Sequence, residues 1–120
     1  MIPVNSYAAM SSNTPLEAYH FERRAVGPDD VQIDILFCGV CHSDLHQVKN
    51  EWGGSQYPMV PGHEIVGKVL SVGTNVTKFK VGDLAGVGVM VDSCKTCKTC
   101  AKDLEQYCEE GFVGTYNNKE

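Results

Sequence analysis

The sequence has no apolar run near the ~20 residues that cross a bilayer, which excludes a spanning helix as its organising feature. Basic residues are not in excess: 10 Lys and Arg against 15 Asp and Glu give a formal net charge of −5. That balance argues against a nucleic-acid partner, because phosphate binding wants a basic surface. No basic region followed by a long apolar core opens the chain; Met1-Ile2-Pro3-Val4-Asn5 does not read as a secretory leader. Reduced thiols and no export signal make the cytoplasm the expected compartment. Internal repeats and low-complexity tails are also missing. What remains is 120 residues with an ordinary apolar share of 42%, enough for one domain with a core.

Several short strands can be read between turn signals. Gly27-Pro28-Asp29-Asp30 is a turn. After it Val31, Ile33, Ile35 and Phe37 alternate with Gln32, Asp34, Leu36 and Cys38, which predicts a strand with one face buried and Cys38 as a small buried hydrophobe. Residues 43–48 suit a short helix, with Ser43 or His42 near its cap. Residues 49–62 are loop-like and carry Trp52 and Tyr57, which pack such a loop down or line a pocket. Residues 63–72 are apolar and β-branched around Gly67, whose place predicts a bulge or a close backbone approach. Turns at 73–75 and 81–83 precede a further strand over 84–91. Residues 1–5 and 15–22 carry no clear assignment. The sum is a mostly β, barrel-like domain with little helix. Gly86-Val87-Gly88 begins like a dinucleotide fingerprint, but Val91 holds the third glycine position and no helix pattern follows.

Cys94, Cys97, Cys100 and Cys108 form a C-x2-C-x2-C-x7-C run in a polar segment. Four thiolates at this spacing can close a tetrahedron around one Zn²⁺, a closed structural site that staples a lobe with little apolar content. A ferredoxin-type iron–sulfur loop would place its fourth cysteine three residues on and follow it with proline; here seven residues intervene and Glu109 follows. A disulfide framework needs an oxidising compartment. A thiol redox reading of Cys94 and Cys97 needs a helix start in a βαβ setting, which the pattern lacks.

The remaining cysteines sit near histidines: Cys41 in Cys41-His42-Ser43-Asp44-Leu45-His46, and His63 in Pro61-Gly62-His63-Glu64. Thiolate and imidazole are both zinc ligands, and a third ligand of the same kind would leave one position open for catalysis. Asp44 is the candidate to accept the spare N–H of His63 and fix its tautomer. Glu64 can stand behind the metal and compete with water for it.

Here the residues resemble a known family. Gly62-His63-Glu64-Ile65-Val66-Gly67, followed by Gly73 and Val76, is similar to the G-H-E-x2-G-x5-G-x2-V signature of zinc-containing alcohol dehydrogenases of the medium-chain dehydrogenase/reductase superfamily. Cys38-Gly39-Val40-Cys41-His42-Ser43-Asp44 and Val81-Gly82-Asp83 fit the same pattern. The tract His42-Ser43-Asp44-Leu45-His46, with Tyr57-Pro58-Met59-Val60-Pro61-Gly62-His63-Glu64, resembles the cinnamyl alcohol dehydrogenase branch, which includes bacterial NADPH-dependent aldehyde reductases.

The resemblance implies a GroES-like barrel, an incomplete catalytic domain over residues 1–120 with a structural zinc lobe at about 92–110. It implies interconversion of aldehydes and primary alcohols by hydride transfer with NADP(H). Cys41 and His63 become catalytic zinc ligands, Glu64 a carboxylate that exchanges into the zinc shell, and Cys94, Cys97, Cys100 and Cys108 the structural zinc site. Ser43 and His46 become a proton relay, His42 a cofactor-pyrophosphate contact and Trp52 a substrate-pocket residue. The partners implied are a small aldehyde or alcohol and, for the full-length enzyme, a second subunit. The family enzyme is roughly three times this length, on the rule of about 100–200 residues per domain. The chain is therefore expected to be an amino-terminal fragment, without the Rossmann domain or the third catalytic zinc ligand, and inactive alone. The rival reading is a non-catalytic zinc-binding or interaction module on the same barrel, which has no need of Cys41, Ser43 and His63 together.

Overall fold

The computed structural model describes residues 1–118. It is mostly β, as the alternating pattern predicts, and every strand pair among the described residues is antiparallel. Strands β1 (Ile2–Ala9) and β2 (Leu16–Arg23) form a hairpin. Strands β3 (Val31–Gly39), β4 (Glu64–Val72) and β5 (Leu84–Val87) form a sheet in the order β3-β4-β5. Strands β6 (Met90–Asp92) and β7 (Val113–Gly114) bracket the cysteine segment. One helix, α1 (His42–Val48), follows β3, and no helix among the described residues is long and apolar enough to cross a membrane.

The β1–β2 hairpin is the largest element without a sequence assignment. Its inward positions Ile2, Val4, Ser6 and Ala8 mix apolar with small and polar residues, so the period-2 signal is faint. Backbone bonds in both directions between Ala9 and Met59, 2.8 and 2.9 Å, tie the hairpin to the loop before β4. The buried apolar core is small and sits around this junction and the central sheet: Ala8, Ala9, Met59, Val69 and Ala85.

Gly67 is where two strands come closest. It faces Ile35 on β3, beside a register shift between Ile35 and Phe37. A Cβ at Gly67 would lie 2.1 Å from Ile33 Cγ2 and 2.5 Å from the Asp34 carbonyl oxygen, so only glycine fits. The predicted bulge and close approach are both present, with the bulge carried by the partner strand.

Three expectations need correction. The predicted strand over 84–91 breaks at Gly88 and Val89, because Thr115 takes the carbonyls of both: its N–H bonds Val89 at 3.0 Å and its hydroxyl bonds Gly88. The chain thereby leaves the central sheet at β5 and starts the lobe at β6. β3 does not have one buried face: Val31, Gln32 and Ile33 are half-buried alike, and Ile35, Leu36, Phe37 and Cys38 are all exposed. β3 is the edge strand of its sheet among the described residues. Finally, α1 starts one residue earlier than predicted, with Cys41 as its N-cap.

The β2–β3 connection turns on Asp30. Its carboxylate accepts hydrogen bonds from the Arg24 guanidinium and from the Gly27 N–H (2.6 Å). These bonds, Arg24 first, hold the Asp30 carboxyl at about 2, below the usual 3.8. A depressed folded-state value stabilises the fold above the unfolded-state value, and that stability is lost as pH falls through about 2. After discounting for solvent screening, Asp30→Asn costs about 1 kcal/mol at pH 7. Paired urea melts of wild type and D30N, both metal-free, should show this gap shrinking between about pH 4 and pH 2; a gap that stays constant with pH contradicts the assignment.

Candidate metal centres

The first centre is built by the lobe. The four sulfurs of Cys94, Cys97, Cys100 and Cys108 lie within 4.8 Å of one another. Short 3₁₀ turns at Cys100–Lys102 and Glu105–Tyr107 curl the segment, and backbone N–H groups outside them point at sulfur. Cys97 N–H reaches Cys94 Sγ at 3.3 Å, Cys94 N–H reaches Cys108 Sγ at 3.5 Å, and Glu109 N–H reaches Cys97 Sγ at 3.5 Å. Donors aimed at sulfur favour thiolate over thiol. The Thr99 hydroxyl, 3.1 Å from Cys97 Sγ, and then the amides of Cys100 and Glu109 bring Cys97 down to about 5. The amides of Thr96 and Cys97 lower Cys94. For Cys100 the bond to the Ser93 hydroxyl pulls downward, but burial and the neighbouring Cys97 and Cys108 outweigh it and raise the thiol to about 11.

Donors thus favour the charged form at Cys94 and Cys97, while burial and neighbouring thiols disfavour it at Cys100. A divalent cation held by the four sulfurs would favour the thiolate form of each. A closed four-sulfur set with N–H···S support fits Zn²⁺.

The second centre joins two segments far apart in sequence. Cys41, His63 and Glu64 offer ligand atoms within 4.8 Å of one another. Cys41 caps α1, whereas His63 immediately precedes β4, which Glu64 opens. Asp44 brings them together. Its Oδ2 accepts the Cys41 N–H at 2.9 Å, and its Oδ1 accepts the Gly62 N–H and His63 Nδ1–H, each at 3.1 Å. Asp44 and His63 are both buried. With Nδ1 donating to a carboxylate, Nε2 is the nitrogen left for a metal. Gly62 has φ +119°, and a Cβ there would meet Cys38 Sγ at 2.8 Å, so glycine is required for this turn. One thiolate, one imidazole and one carboxylate are an incomplete shell that suits Zn²⁺ with positions left over.

The other predicted site residues line up on α1 and its flank. Ser43 sits in the first turn of α1, half-buried, with His46 one turn on. His42 is exposed at the helix start, and its ring lies 5.4 Å from that of His46. His46 Nδ1 contacts the Glu51 carboxylate, a partner with no place in the sequence reading; that bond lowers the Glu51 carboxyl. Trp52 lies 5.0 Å from His46, centroid to centroid, and lines a cleft of about 520 Å³ with Gln47, Val89, Phe112, Tyr116 and Asn117. Tyr57 instead packs the loop down: its hydroxyl donates to the Val48 carbonyl at the end of α1. Tyr116 is absent from the sequence reading, yet its ring stacks on His63. Burial, then the charges of Asp44 and Cys41, raise its phenol. Its only sequence signal was position a few residues beyond the last cysteine, too weak to single it out.

Comparison with known proteins gives a consistent picture. Residues 27–119 match the family described as the alcohol dehydrogenase GroES-like domain. NADP-dependent alcohol dehydrogenase C 1 of Mycolicibacterium smegmatis is 58% identical over 98% of this chain and 34% of its own length. Aldehyde reductase YahK of Escherichia coli is 55% identical over 96% of this chain and 33% of its own length. The structure of a cinnamyl alcohol dehydrogenase, SbCAD4 from Sorghum bicolor, superposes with a TM-score of 0.93 at 51% identity, over 97% of this chain and 33% of that one. The chain thus spans about a third of the length of the proteins it matches.

Two predictions follow from the geometry. Asp44→Asn puts an NH₂ group against one of three donors, which should destabilise the chain by about 3 kcal/mol and weaken metal binding at Cys41–His63 by about 10–100-fold. Urea melts and cobalt titration read both, and unchanged metal affinity contradicts the account. Metal titration of the wild type should find one Zn²⁺ bound tightly at the lobe and a second weakly; Cys97→Ser should lose the tight ion while circular dichroism keeps the strand signal. Two equally tight ions, or collapse of the strands in C97S, contradicts this division.

Proposed function

The chain belongs to the alcohol dehydrogenase family, through its GroES-like domain, and from that membership we propose that it supplies the zinc-binding part of an oxidoreductase that interconverts aldehydes and primary alcohols with NADP(H). The observation that carries this reading is the convergence of Cys41, His63 and Glu64 on one point, braced from behind by Asp44. The names of similar proteins, an NADP-dependent alcohol dehydrogenase and an aldehyde reductase, support it. In this reading Cys41 and His63 hold the catalytic zinc, Glu64 exchanges into its shell, and Cys94, Cys97, Cys100 and Cys108 hold the structural one.

When bound, the catalytic ion supplies a Lewis acid with a position open to a substrate oxygen. The chain's own residues do the rest. Asp44 holds the His63 tautomer and ties the Cys41 backbone to the Gly62 turn. Ser43 donates to the substrate oxygen, and His46 moves the proton toward solvent. The Glu51 contact orients the His46 ring, and Trp52 walls the cleft on that side. His42, exposed at the start of α1, meets the cofactor pyrophosphate. The junction from β3 to α1 carries the single Gly39 and not a glycine-rich phosphate turn, so His42 is the cofactor contact of this reading.

The zinc-loaded chain alone should therefore reduce no aldehyde with NADPH. A chimera in which it replaces the matching third of aldehyde reductase YahK should do so, and Ser43→Ala in that chimera should lower turnover at least about 100-fold, the scale of positioned proton transfer. NADPH absorbance reads all three. A folded chimera holding both metals yet inactive, or turnover by the chain alone, overturns the proposal.

A further inference from the structure

Tyr116 occupies the face of a candidate metal ligand. Its ring lies 5.1 Å from the His63 imidazole, centroid to centroid, with 15° between the planes. His63 is thus bounded on its Nδ1 edge by Asp44 and on one face by an aromatic plate. Parallel stacking resists tilting of a ring that a single hydrogen bond leaves free to rock about its axis.

The plate is itself held from both sides. Upstream, β7 pairs with β6, and Thr115 bonds the carbonyls of Gly88 and Val89. Downstream, Asn117 Oδ1 accepts the Gln56 N–H at 2.7 Å, and Asn117 Nδ2 donates to the Gly54 carbonyl at 3.3 Å. Asn117 sits at φ +56°, in the left-handed region that asparagine tolerates better than most residues. These bonds cross to the loop that leads on to Gly62 and His63. Residues 113–117 thus form a strap that sets Tyr116 against the imidazole.

We propose that Tyr116 is a positioning residue for the Cys41–His63 metal site: it clamps the His63 ring in the plane that presents Nε2 to the ion, and Asn117 holds the clamp closed. The inference rests on the reading of Cys41 and His63 as metal ligands. It requires the ring and not the hydroxyl.

The test uses the 120-residue chain with its lobe filled by Zn²⁺, followed by Co²⁺ titration of the second site and proton NMR of the His63 ring before cobalt is added. Wild type and Tyr116→Phe should show the His63 ring protons displaced upfield by the stacked ring, and should bind Co²⁺ within about twofold of each other. Tyr116→Leu should lose the displacement and bind Co²⁺ about 10–100-fold more weakly, the range seen when the outer partners of metal ligands are removed. Asn117→Gly, which keeps the left-handed backbone and removes only the two tethers, should move both readouts in the same direction; it carries the test if Y116L fails to fold. Equal cobalt affinity and an unchanged ring displacement in these variants overturn the inference alone. Absence of any second cobalt site in the wild type overturns the metal-ligand reading and the inference with it.

Discussion

One buried carboxylate organises the site. Asp44 gathers three N–H groups, from the cap of α1, from the Gly62 turn and from the His63 ring. Without it, one buried and two part-buried donors would lose their acceptor, at a cost of up to about 1–3 kcal/mol each. With it, two segments that sequence keeps 19 positions apart are held at ligand distance. The carboxylate's own desolvation is offset by the same three bonds. Structure and chemistry share this residue: the contacts that close the loop also fix which imidazole nitrogen is available.

The two candidate centres solve opposite problems. The lobe surrounds four sulfurs with one another and with backbone N–H groups, leaving no position open. Donors lower the Cys94 and Cys97 thiols, while burial and neighbouring thiols raise that of Cys100; a divalent ion there would favour thiolate at every sulfur. The Cys41–His63–Glu64 set has fewer ligands and an exposed glutamate, and the Tyr116 that stacks on His63 also lines the cleft. The first arrangement suits holding a chain segment in place, and the second suits admitting an oxygen ligand. Residues 113–117 run from the lobe to the second set, so the lobe's order is also the order of the wall above His63.

Much of this was legible in the sequence. The cysteine spacing, the presence of a strand over 31–39, the constrained Gly67 and the Asp44–His63 pair each follow from a local rule that the fold obeys. What escaped depends on contacts distant in sequence. The β1–β2 hairpin has a faint period because small and polar residues share its inward face. The break at Gly88 and Val89 is imposed by Thr115, some 27 positions on. Cys38 reads as buried by alternation, yet β3 is an edge strand whose second half lies open. Glu51 and Tyr116 belong to no ligand motif; only the folded chain sets one beside His46 and the other over His63.

The most direct measurement is X-ray absorption fine structure at a cobalt ion placed in the second site, with zinc retained in the lobe. The account predicts a mixed shell of one sulfur with nitrogen and oxygen neighbours, the sulfur vanishing in Cys41→Ser and the imidazole scattering in His63→Ala. A shell of oxygen alone, unchanged by either substitution, would contradict it.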